Sequence, residues 1–206
     1  MKTITKYPQQ DLCTLKDDLK GLSWDDFHCS YPQVYAKCVQ QAISEQNGEC
    51  AYTEIPLPDK SQHLDHYKKK AIFPELTFDW NNLFAAVKNV RFGADFKDKY
   101  INGKNCKTVY SKLLCPTLDN IEEYFTYSLD GSILPSANCP DKAKAEFTIK
   151  VFNLNDDALV SRRHALILQM LGIQDKDILL TVFAKSGFSS LVKCFAEIID
   201  SKNRLL

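Results

Sequence analysis

The sequence predicts a mainly helical α+β protein, on three observations. Apolar residues recur at helical spacing in residues 32–47 and through much of the chain after 141. Between these stretches lie short runs with a β-branched and aromatic bias, such as "CAYTEI" (50–55) and "EEYFTYSLDGSIL" (122–134). The bulk composition is that of a globular chain: 206 residues, 45% apolar and 25% charged. That length is enough for one core or two small lobes.

Each element follows from local signals. In "PQVYAKCVQQAISEQN" (32–47), Pro32 suits a first helical position and Gly48 supplies the stop. Val34, Cys38, Val39, Ala42 and Ile43 form its apolar stripe. "CAYTEI" then reads as a strand, "PLPDKS" as a loop, and the start of "HLDHYKKKAIFPELTF" as a second strand. From Asp79, the spacing of Trp80, Leu83, Phe84, Val87 and Val90 predicts a helix with Asp79 as N-cap. Residues 92–112 are polar, basic and glycine-containing, and read as a loop. Asp130-Gly131 marks the turn of a hairpin. Helices are expected at 141–152 and from Asn155 or Asp156 to Gly172. A further one or two are expected over 176–200, with a break at Gly187. The segments are 1–48, a helical start; 49–112, a small core with a basic loop; and 113–206, a hairpin plus helical lobe.

Charge and cysteine usage narrow the function. Net charge is zero, so the whole molecule is not a polycation seeking nucleic acid. Yet residues 60–112 hold eleven Lys/Arg against five acids. Local positive charge of this kind suits a phosphate-bearing ligand, or simply a solvated loop. Eight cysteines are scattered with no CxxC pair, which predicts reduced thiols and a cytoplasmic setting. No stretch is apolar for long enough to span a membrane, and the first residues carry no apolar core of a secretory signal.

The chemistry lies in "HLDHYKKKAIFPELTFDWNNLFAAV" (63–87). A neutral imidazole at His66 can take a proton from water. The Asp65 carboxylate can hold a hard divalent cation through oxygen, and an amide at Asn82 can brace the intervening loop. Lys68, Lys69 and Lys70 are candidate phosphate contacts, with Lys97, Lys99, Lys104 and Lys107 extending the track. Trp80 and Phe84 suit either base stacking or a core face.

"CAYTE" (50–54), "LDHYKKK" (64–70) and "FPELTFDWNNL" (73–83) line up in order with the HNH nuclease superfamily. So, further on, do "YFTYSLDGSILP" (124–135) and "AEFTIKVFNLNDDALVSRRHALI" (145–167). More narrowly, residues 30–170 resemble the HNH subunit of Septu-type and retron-associated antiphage defence systems. The resemblance implies a ββα-metal (HNH) core between a helical N-terminal segment and a helical C-terminal lobe. It implies a metal-dependent endonuclease with His66 as general base, Asp65 on Mg²⁺ or Mn²⁺, and Asn82 in the middle HNH role. It also implies an SMC-like ATPase partner, a setting that includes retron reverse transcriptase–msDNA complexes, and DNA or RNA as substrate. A non-catalytic adaptor that binds the ATPase or nucleic acid is the alternative.

Two departures qualify this expectation. The family's zinc knuckle needs four ligands, and only Cys50 remains: Thr53 stands for the second thiol and "VKNV" (87–90) for the other pair. No structural zinc is expected, with Val87 and Val90 packing towards Cys50 instead. The family's final Asn or His, a metal ligand, aligns with Arg91, whose guanidinium cannot ligate a cation. Asn89 or Asp95 can substitute, or Asp65 can hold the ion with substrate and water, or Arg91 can bond phosphate directly.

Overall fold

A computed structural model of the chain describes residues 1–58, 62–101, 107–117 and 120–203, with the side chains of 202 and 203 left aside. Lys60 and Lys104 of the basic stretch, and Cys106, lie outside the described residues. Among the described residues, the cysteines form no disulfide.

The chain opens with helices α1 (Gln10–Thr14), α2 (Trp24–Ser30) and α3 (Pro32–Glu45). Gln9 and Ser23 cap the first two by accepting from backbone N–H groups, and Pro32 begins the third. Strand β1 (Gln62–His66) pairs antiparallel with β2 (Leu83–Val87). Between them lie 3-10 turns at Pro74–Leu76 and Trp80–Asn82. Helix α4 (Gly93–Ile101) follows β2 directly, and α5 (Lys107–Tyr110) comes next. A second antiparallel pair, β3 (Phe125–Tyr127) and β4 (Ile133–Pro135), leads into α6 (Lys142–Phe152) and α7 (Asp157–Met170). The chain closes with α8 (Lys176–Val182) and α9 (Ser189–Asn203). The architecture is therefore α+β.

The Asp130-Gly131 turn is seated on α7. Gly131 has φ +90°, and a β-carbon there would stand 2.3 Å from the Val160 carbonyl oxygen, so only glycine fits both the backbone and the space. Arg163 secures the same turn by donating from Nε to the Gly131 carbonyl at 2.5 Å.

Among the described residues, three apolar clusters hold the molecule. One, under α1–α3, takes Leu64, Leu83 and Ala85 from the β1–β2 pair, with Phe27, Cys38 and Ala42. The second takes Phe84 and Ala86 from the other face of that pair, with Ile101, Ile121 and Phe152. It also takes Met1, Ile4 and Cys50, so the segments 1–48, 49–112 and 113–206 share a core. The third joins α7, α8 and α9 through Leu159, Ile167, Leu179 and Leu191.

Several expectations are corrected here. Residues 50–55 form turns, with a lone bridge between Glu49 and Pro56, and are not a strand. The helix expected from Asp79 is a 3-10 turn followed by β2. "LFAAV" is one unbroken apolar run, which satisfies a buried strand as well as a helix face. Asp79 does cap the short turn, accepting from Asn81 N. The expected loop at 92–112 contains α4 and α5. Val87 packs on the cluster containing Cys50, but Val90 is 75% exposed and closes nothing. The hairpin, the helices from 142 onward and the break near Gly187 stand where the sequence placed them.

Candidate functional site

Asp65 and His66 sit at the end of β1, opposite Phe84 and Leu83 of β2. Successive side chains of a strand leave opposite faces. Asp65 goes to the α4 side with Phe84, and His66 to the α2 side with Leu64. Adjacent in sequence, the two side chains therefore have different surroundings.

On the α4 side, Asp65 Oδ2 accepts from the Tyr52 hydroxyl at 2.6 Å and from Lys97 Nζ at 2.8 Å. Lys97 is 0% exposed. Its ammonium also donates to the main-chain carbonyls of His66 at 2.7 Å and Tyr67 at 3.1 Å. Asp98 Oδ1 lies 3.3 Å away. Burial works to raise the Asp65 carboxyl, but the Lys97 ammonium outweighs it and holds the group below the usual carboxylate range. Burial works to lower Lys97, and Asp65 and Asp98 together hold it above the ordinary lysine value. Asp98 is itself pushed up by burial, against the pull of Lys97.

On the α2 side, His66 Nε2 lies 2.9 Å from the Thr77 carbonyl oxygen. A carbonyl only accepts, so Nε2 carries the proton and Nδ1 is the basic nitrogen of the neutral ring. Burial lowers the imidazole below its ordinary value, favouring that neutral form. The Trp24 ring meets the imidazole edge-on, with centroids 4.5 Å apart. A cavity of about 700 Å³ is lined by Trp24 with Leu19, Lys70, Thr77 and Phe78, and His66 is not among its lining residues.

Asn82 joins the two ends of the loop between the strands. Its Oδ1 accepts from Lys68 N at 2.7 Å, and its Nδ2 donates to the Lys68 and Leu76 carbonyls at 3.0 and 3.2 Å. By fixing Leu76, it fixes the neighbouring carbonyl on which His66 rests.

No family model matches this chain, and no curated protein matches it.

The remaining candidates have partners other than those the sequence assigns them. Asn89 Oδ1 accepts from Arg91 N at 2.9 Å, and Asn89 N donates to Asp95. Of the expected metal pair, Asn89 Oδ1 is taken up by its own turn, and Asp65 Oδ2 by Lys97 and Tyr52. Arg91 reaches Asp156 at the start of α7, at 3.1 Å from both Nε and Nη2. Lys97, expected on a phosphate track, is corrected to a buried ion-pair residue. Lys69 Nζ donates to the Asp98 carbonyl at 3.0 Å, and Lys70 pairs with Asp25 at 3.5 Å. Lys68 Nζ stands over the Phe73 ring at 5.6 Å. Lys69, Lys70, Arg91 and Lys97, four of the eleven positive residues of the basic stretch, thus have acidic or carbonyl partners within the chain.

Among the described residues, no three His, Cys, Asp or Glu side chains gather in a group that could hold a metal ion. The fit is tested more directly at Asp65. Its Oδ2 already accepts from an ammonium and a phenol, and a divalent ion on this carboxylate would be held against a fixed positive charge. In this arrangement the residues do not fit Mg²⁺ or Mn²⁺.

Sequence reasoning missed Lys97, Tyr52 and Trp24 as neighbours of the Asp65-His66 pair. One signal for Lys97 was present. In "GADFKDKYI", Ala94, Lys97 and Ile101 fall on one helical face, so a lysine interrupts an apolar stripe. Such a lysine needs a buried counter-charge.

Proposed function

We propose that this chain is a non-catalytic, HNH-derived binding subunit that works beside an ATPase partner in cytoplasmic antiphage defence. The observation that carries the non-catalytic reading is the Lys97 ammonium on Asp65, 2.8 Å away and closed from solvent. A carboxylate so compensated has no need of an ion from solution. The burial of Asp65, His66 and Asn82, at 7%, 8% and 4% exposure, supports the same reading. The resemblance described above supports the ancestry and the SMC-like partner. Among the described residues, no helix is long and apolar enough to cross a membrane.

A protein partner is favoured over nucleic acid because Lys69, Lys70, Lys97 and Arg91 have internal acidic or carbonyl partners. Leu168, Leu171, Ile178, Val182 and Ile198 of the C-terminal helices are meanwhile exposed. The test is a cleavage assay on DNA and RNA with Mg²⁺ or Mn²⁺, using the chain with its ATPase partner, as wild type and as His66→Ala. The reading expects no difference between the two. Cleavage by the wild type that disappears in His66→Ala overturns it.

A second reading, a metal-dependent endonuclease with His66 as general base, is favoured by one feature. Thr77 and Asn82 hold the imidazole with Nδ1 as its basic nitrogen, as a water-activating base requires. On that reading Lys97 must leave Asp65 and Trp24 must leave His66 before any chemistry.

A further inference from the structure

We infer that the Lys97 ammonium is a resident cation built into the chain, seated in an oxygen cradle that accepts a hard divalent ion once the ammonium is removed. The inference deepens the non-catalytic reading by naming what fills the site, and rests on that reading for the claim that the ammonium stays there.

The cradle is drawn from two elements and the chain just after β1. β1 supplies the Asp65 carboxylate and the His66 carbonyl, the next residue supplies the Tyr67 carbonyl, and α4 supplies the Asp98 carboxylate. An ammonium has three N–H donors, and three acceptors stand at 2.8, 2.7 and 3.1 Å from Nζ. The fourth oxygen, on Asp98 at 3.3 Å, adds charge. Two carboxylates and two main-chain carbonyls converging on one point form the donor set that hard cations take. To reach the roughly 2.3–2.6 Å of a calcium site, the Asp65 and His66 oxygens need to close by a few tenths of an ångström, and the Tyr67 and Asp98 oxygens by up to about 1 Å.

Charge balance points the same way. Asp65 and Asp98 carry two negative charges, met by Lys97 and by Lys69, which approaches Asp98 at 4.0 Å. Removing the Lys97 amine leaves one buried negative charge beside the His66 and Tyr67 carbonyls that the ammonium had bonded. An unpaired buried charge is strongly destabilising, and an ion that binds only the folded state restores stability by mass action. A lysine that merely fills space would leave no such response.

The test uses the full chain as wild type, Lys97→Ala, Lys97→Gln and the double variant Asp65→Asn/Lys97→Ala. Thermal unfolding is followed in EDTA and in millimolar Mg²⁺, Mn²⁺ or Ca²⁺, with calorimetric titration of each ion. The wild type is expected to melt at the same temperature throughout. Lys97→Ala is expected to melt lower in EDTA, to recover by several degrees with one of the ions, and to bind one ion per chain. The double variant is expected to lose the response. A folded Ala or Gln variant indifferent to every ion overturns the proposal, as does a wild type or double variant that responds equally. If Lys97→Ala is unfolded in EDTA, folding on addition of ion supports the proposal. Failure of both single variants to fold at any ion concentration overturns it. Nuclease activity is not a readout here, so a cleaving wild type would sink the non-catalytic reading without deciding this one.

Discussion

Asp65 and Glu54 are both buried carboxylates held below the ordinary range, yet they are compensated in different ways. Asp65 finds its cation on α4, inside one strand–strand–helix unit. Glu54 gathers partners from distant parts of the chain: the Met1 amino group at 2.5 Å, and Ser190 at the start of α9 through its backbone N–H at 2.7 Å and its hydroxyl at 2.5 Å. Glu49 repeats the pattern on Lys2 and Ser189. Two carboxylates thus face the first turn of α9, where unsatisfied N–H groups favour negative charge. The contrast separates two jobs. Glu54 is a joint between segments that depends on the assembled fold. Asp65 takes its cation from within the strand–strand–helix unit, with the Tyr52 hydroxyl as a further donor from outside it.

The largest expected effect breaks the first member of this pair. Asp65→Asn keeps the side-chain volume but strands the Lys97 ammonium, and should cost about 3–5 kcal/mol in denaturant unfolding at neutral pH. A cost below about 1 kcal/mol would show that the ammonium does not depend on that carboxylate.

Next comes Glu54. Burial works to raise its carboxyl, but the Met1 amino group and the Ser190 bonds bring it from 4.5 down to about 2. A carboxyl depressed in the folded state contributes stability that is fully present above its unfolded value. That contribution is lost as pH falls from about 4.5 towards 2, and amounts to about 3 kcal/mol. Glu54→Gln should therefore be markedly less stable at pH 7 and show a flatter loss of stability across that acid window. Parallel urea titrations at several pH values read both effects, and parallel pH profiles for the two proteins would contradict them.

Asn82→Ala sharpens the comparison on the imidazole side. It removes the acceptor of the Lys68 N–H and should cost about 2 kcal/mol. Amide exchange of Lys68 should quicken while that of α9 stays protected. The smallest effect belongs to Arg91→Ala. Its partner Asp156 is buried but the guanidinium is largely exposed, so the loss should stay under about 1 kcal/mol in an unfolding titration.

Legibility in the sequence follows the same divide. The C-terminal helices and the hairpin could be read directly, because caps such as Asp141 and Asp156, the Asp130-Gly131 turn and long amphipathic periods are local signals. The strand–strand–helix unit could not be placed correctly. "LFAAV" has no period that distinguishes strand from helix, and its outer edge is satisfied from outside the sheet. The Gln46 amide both accepts from Ala85 N and donates to Ala85 O at 2.8 Å. The same long-range dependence hid the site. His66 and Asn82 were visible as residue types, and their link through the loop follows from where those types sit. The sequence puts Lys97 on a phosphate track because residues 92–112 read as a loop, and no spacing in the chain ties Lys97 to Asp65.

The central claim is that Lys97 serves Asp65 as its cation, and a double-mutant cycle tests it most directly. Asp65→Asn and Lys97→Met are made singly and together, and stability is measured by urea unfolding. The account predicts that each single change costs about 3–5 kcal/mol, while the uncharged double variant lies within about 2 kcal/mol of wild type. Two costs that simply add would show that the carboxylate and the ammonium act independently, and would contradict the account.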